Sequence, residues 1–152
     1  MGEFDNYIPF ILLPLVFWGV RRMLIRKNDY SDLKKWTLGL GLMAWFITEM
    51  VRSFIRPYVY QNDIFDFYVS DTIGNSTGTM TAIFMILTLV GKGHEKDFWL
   101  ILMVVIGLIG YEFMSLASGF DIYDIYATLI FGLISFGWYF LLLQKQEKVT
   151  ED

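Results

Sequence analysis

Five long apolar runs alternate with short charged or aromatic segments along this chain, at about residues 7–25, 36–55, 71–90, 98–118 and 124–143. Runs of about 18 or more apolar residues with few charges read as membrane-spanning helices, not as the one-sided stripe of a soluble helix. The sequence between the runs is too short to build a soluble domain. The pattern predicts an all-α protein over residues 1–152: one polytopic membrane helix bundle of about five transmembrane helices. Pro9 and Pro14 fall in the first run, where membrane helices tolerate proline. RRMLIRKNDYSDLKK forms a basic linker, Arg56-Pro57 closes the second span, GKGHEKD forms a short basic turn, Gly119-Phe120-Asp121 turns the chain, and QKQEKVTED is a charged tail.

Charge adds an orientation. Every lysine and arginine except Arg52 and Arg56 lies in the first linker, in the GKGHEKD turn or in the tail, which share one side if five helices alternate. The positive-inside rule then places the N-terminus outside and the C-terminus in the cytoplasm of a multi-pass cell-membrane protein. The opening MGEFDNY is acidic and lacks the basic start of a signal peptide, so the first run is expected to be retained. The chain has no cysteine, which excludes disulfides, thiolate metal sites and cysteine nucleophiles. The basic residues are explained by topology, so nucleic-acid binding is not expected, and His94 sits in a solvated turn. No cofactor and no metal set is expected.

Within the apolar runs, Glu49, Arg52 and Glu112 stand out, since a charge at the helix centre costs about 2.5–3.5 kcal/mol and normally faces protein or water. At about 1.5 Å per residue, Glu49 and Glu112 both lie about 20 Å up a core about 30 Å thick, in its outer half. Glu49, Arg52, Ser53 and Arg56 follow i, i+3, i+4, i+7 and share one helix face. Asp71, Asn75 and Gly78 follow i, i+4, i+7 on the third helix, and Asp124 and Thr128 repeat the first step on the fifth. Gly74 and Gly78 would allow close helix packing. Plainer readings stand beside these: Asp71 and Asp124 as N-caps, Glu49–Arg52 as a register-fixing ion pair, Arg52 snorkelling outward, Asn75 and Gly78 as packing residues.

A short internal repeat is also present. Phe65-Asp66-x-Tyr68 opens the third span and Phe120-Asp121-x-Tyr123 the fifth, each after a helix carrying one acid. Two such hairpins would be parallel repeats about an axis along the membrane normal.

The order glutamate, then Asp-x-x-x-Asn-x-x-Gly at the start of the next helix, resembles VanZ-like membrane proteins. Glu49 and Asp71-x-x-x-Asn75-x-x-Gly78 carry it in the first hairpin, and Glu112, Gly119, Asp121, Asp124 and Thr128 carry a looser version, with Thr128 and Phe131 where the motif has Asn and Gly. The resemblance implies a cell-envelope role of the kind associated with resistance to glycopeptide antibiotics. Three readings follow. In the first, a non-enzymatic protein binds or moves a polar or lipid-linked group at the outer leaflet, with Glu49, Arg52, Asp71, Asn75, Glu112, Asp121, Asp124 and Thr128 binding substrate or carrying protons, and membrane lipids as its surroundings. The second is an enzyme on lipid head groups, for which no serine elbow, HExxH or phosphate loop is present. The third is an accessory subunit whose polar residues only pack.

Overall fold

A computed structural model describes residues 7–66, 69–114 and 122–151, with side chains to residue 146. All of its regular elements are helices, and five are long and apolar enough to cross a membrane. They are α1 (Ile8–Arg26), α2 (Asp32–Gln61), α3 (Val69–Val90), α4 (Asp97–Met114) and α5 (Ile122–Glu151). The chain is thus a multi-pass helical membrane protein. The loop after α1 and the turn between α3 and α4 lie at one end of the bundle, called here the basic end. The α2–α3 loop lies at the other, the far end.

The helix limits follow from local chemistry. Pro9 occupies the first turn of α1, where its missing N–H breaks no bond. Asn28 takes a positive φ of 55°, and Asp29 N donates to Leu24 O at 2.9 Å, the bond that wraps a helix end. The Ser31 hydroxyl then accepts from Lys34 N and starts α2. The linker between α1 and α2 therefore shortens to residues 27–31, with its arginines on α1 and its lysines Lys34 and Lys35 on α2.

Two expected stops are overturned. Arg56-Pro57 does not close the second span. Residues Val51–Ile55 widen into a π turn, in which Arg56 N donates to Val51 O, and Pro57 then sits in the first turn of a further segment, Arg56–Gln61. A proline clashes with the carbonyl four residues back in a regular helix; the widened turn removes that conflict. The helix ends instead at Gln61, wrapped by Asp63 with a φ of 49° and by Ile64 N donating to Val59 O. The tail also continues α5 as helix to Glu151, because QKQEKVTE contains strong helix formers and neither glycine nor proline.

α3 is the hub: it packs against α2, α4 and α5. α1 leans on α2 and buries only Leu24, so its apolar surface is left for lipid. The apolar core, Leu33, Ile83, Phe84, Leu87, Ile101, Val105, Tyr139 and Leu143, fills the basic half. Hydroxyls join the helices. Thr48 pairs with Thr77 at 2.7 Å and Thr37 with Thr88 at 2.9 Å across α2–α3, while Thr79 meets Thr128 at 3.4 Å across α3–α5. Close approach is set by other glycines than expected. A Cβ at Gly132 would lie 2.7 Å from Val105 Cγ2, and one at Gly41 3.2 Å from Met85 Sδ, whereas Gly74 and Gly78 have nothing within 4 Å.

Candidate functional site

The far end carries a cluster of polar side chains on α2 and α3. Thr48, Val51, Arg52 and Arg56 of α2 and Ser70, Asp71, Gly74 and Asn75 of α3 line a cleft of about 210 Å³. One wall is the π turn itself. A π turn adds about one residue to the helix and so rotates the following segment by about 100°. The stripe expected from i, i+3, i+4, i+7 spacing is divided. Glu49 and Ser53 are buried, while Arg52 and Arg56 are exposed.

Asp71 is the best-tied group of the cleft. Arg56 Nη2 lies 2.7 Å from its Oδ1, and the Tyr60 hydroxyl donates to the same oxygen. Arg56 Nε also donates to Tyr60 Oη at 3.2 Å. Asp71 is not an N-cap: α3 begins at Val69, and Asp66 Oδ2 takes the capping bond from Ser70 N at 2.7 Å. The carboxylate is left to face sideways onto α2.

Glu49 is the opposite case. It is 8% exposed, and its Oε2 has no hydrogen-bond partner. Arg52 Nε is 3.9 Å from that oxygen, near enough for attraction but beyond hydrogen-bond distance. The guanidinium projects outward, its side chain 69% exposed. A buried carboxylate without donors is destabilising unless something compensates it. Ser70 Oγ, buried on the cleft wall, likewise has no partner.

The structure thus brings Arg52, Asp71 and Asn75 onto one cleft, with Glu49 beside Arg52. It does not add the second hairpin's residues to that wall. Glu112 lies on α4, whose main neighbours are α3 and α5; it is half-buried and has interactions of its own, as has Asp124 in the first turn of α5. Thr128 is buried at the α3–α5 contact against Thr79. Asp121, with Tyr68 and Phe120 of the repeat, lies outside the described residues. Thr48, Ser70 and Tyr60 were not singled out by spacing. Tyr60 was hidden by the expected stop at Pro57, whereas Ser70 adjoins Asp71 and Thr48 sits four residues before Arg52. Among the described residues no group of three His, Asp or Glu side chains is placed to hold a metal ion.

A second buried acid lies at the basic end. Asp97 Oδ2 accepts from Lys92 N, Gly93 N and His94 N at 2.8, 2.7 and 3.3 Å and from the Tyr139 hydroxyl at 2.6 Å. This carboxylate ties the α3–α4 turn to α5. Gly93 takes a φ of 74°, which glycine adopts freely, so that consecutive N–H groups converge on one oxygen.

No family model, no curated protein and no solved structure matches this chain. A function has to be argued from the cleft.

Proposed function

We propose that this protein binds or moves a polar or lipid-linked group through the far-end cleft, in a VanZ-like cell-envelope role, and that it is not an enzyme. The observation that carries the reading is the cleft between α2 and α3 together with the unsatisfied Glu49 carboxylate beside it. Polar residues placed only for packing satisfy one another, as Thr37 and Thr88 do at 2.9 Å. Here a buried acid oxygen and a buried hydroxyl lack hydrogen-bond partners at or beside one cleft, and the guanidinium next to the acid is exposed and only loosely paired with it at 3.9 Å. π turns, moreover, concentrate at functional sites. In this reading the basic end is cytoplasmic and the cleft opens to the outer face. Arg52 and Asn75 contact the ligand, Asp71 holds Arg56 in place, and Glu49 orients Arg52 or carries a proton, as intramembrane acids do in transporters.

The test is phenotypic. Cells expressing the chain are scored for susceptibility to a glycopeptide antibiotic, with protein levels matched by immunoblot. Loss of protection in Glu49→Gln and Asn75→Ala is the expected result. Full protection by both variants would remove the cleft from the function.

A further inference from the structure

We propose that the ligand of this cleft carries a phosphate group, held by the Arg52 guanidinium and the Ser70 hydroxyl. The inference rests on the reading of the cleft as a ligand site and adds the chemical class of the ligand. The charged side chains on the cleft wall are Arg52, Arg56 and Asp71. Asp71 and Arg56 neutralise each other at 2.7 Å, and Tyr60 bonds to both. That leaves Arg52, whose ion pair with Glu49 is long at 3.9 Å, as the wall's remaining charge, and it is positive, so the cleft selects an anion. Glu49 lies next to Arg52, and its Oε2 is 3.9 Å from Nε. A guanidinium presents five N–H donors in a planar fork, so it can stay near Glu49 on one edge and grip an anion with the other.

The donors favour phosphate over carboxylate. An arginine fork occupies two acceptor oxygens at once. A carboxylate has no third oxygen to offer. A phosphate does, and the cleft holds further donors for it. Ser70 Oγ is buried, lacks a partner and lines the same wall, and the Asn75 amide stands one turn along α3 from Asp71. Gly74 lies between them, and the absence of a side chain there leaves the floor of the cleft open. Two sources supply this chemistry: the head group of a membrane lipid, entering from the bilayer, and a free phosphate or phosphate ester from water.

The experiment uses the full chain purified in dodecyl maltoside. Three probes are titrated by calorimetry: dihexanoyl phosphatidic acid, inorganic phosphate, and dihexanoyl glycerol as the phosphate-free control. The phosphatidic acid is expected to bind and the glycerol not. Arg52→Gln is expected to weaken binding at least 10-fold, Arg52→Lys less, because it keeps the charge and loses the fork, and Ser70→Ala several-fold. Arg52 is largely exposed, so its replacement leaves folding intact, to be checked by the unchanged melting temperature. Binding of phosphatidic acid alone identifies a lipid head group; equal binding of inorganic phosphate identifies a free phosphate; both support the proposal. Equal affinity in Arg52→Gln and Ser70→Ala would overturn it. So would the absence of any phosphate binding in a protein whose cleft is open to water, as shown by thiol labelling of Asn75→Cys. A cleft closed to that label would overturn the ligand-site reading as well.

Discussion

Among the described residues two acids are buried, one near each end of the bundle, and they are treated in opposite ways. Asp97, 5% exposed, receives three backbone N–H groups and the Tyr139 hydroxyl on a single oxygen. Glu49, 8% exposed, has an oxygen with no donor at all and a guanidinium 3.9 Å away. Desolvation is unfavourable for both. At the basic end the fold compensates it fully, which is what an acid that holds structure together requires. At the far end the compensation is left incomplete, and the uncommitted groups gather around a cleft. Burial alone does not distinguish these two acids; the number of donors does.

The comparison can be broken at Asp97 first. Asp97→Ala leaves several buried donors without an acceptor, each loss being worth about 1–3 kcal/mol, so a destabilisation of about 3 kcal/mol or more is expected in detergent unfolding. Tyr139→Phe removes one of those bonds and should cost about 1.5–3 kcal/mol, as for a hydrogen bond to a charged group. Stability unchanged in both would mean that the basic-end acid is as idle as Glu49. Gly74→Ala sharpens the far-end half. A Cβ there meets nothing within 4 Å, and alanine in place of a helical glycine should add about 0.5–1 kcal/mol of stability. The same methyl narrows the cleft, so melting should rise while ligand affinity falls; a parallel gain in both would argue against the cleft as the site. Thr79→Val, at the 3.4 Å contact with Thr128, should cost about 0.6 kcal/mol, as interhelical hydrogen bonds in membranes do on average. Glu49→Gln is expected to change stability least, within about 0.5 kcal/mol, because no donor is orphaned by it. A large loss of stability in that variant would make Glu49 a structural acid after all.

Much of the bundle was legible because membrane spans are written as continuous apolar runs, and all five are present. What escaped depended on partners distant in sequence or on local rearrangement. Pro57 looked like a stop because a regular helix cannot accommodate it; the π turn before it lets α2 continue to Gln61 and brings Tyr60 to Asp71. Asp97 closes the GKGHEKD turn in sequence without any sign of burial; the Tyr139 hydroxyl, 42 residues away, joins the turn's own N–H groups in making it a buried anchor. Gly74 and Gly78 matched a packing motif, yet Gly41 and Gly132 make the close contacts, since which helix face meets a neighbour is fixed by the whole bundle. The i, i+4 step from Asp71 to Asn75 puts both residues on the α3 side of the cleft that Arg52 lines from α2. The shared depth of Glu49 and Glu112 did not imply a shared cleft, because their helices are not main neighbours.

If the cleft binds a ligand from outside, it is open to water while the hydroxyl contacts deeper in the bundle are dry. The chain contains no cysteine, so single thiols can be placed by Asn75→Cys in the cleft and Thr88→Cys, fully buried, as the internal control. Both are challenged with a membrane-impermeant maleimide on intact cells and on inverted vesicles. The account predicts rapid labelling of the Asn75 variant from the cell exterior only and none of the Thr88 variant. Protection of both thiols from either side, in folded protein, would contradict it.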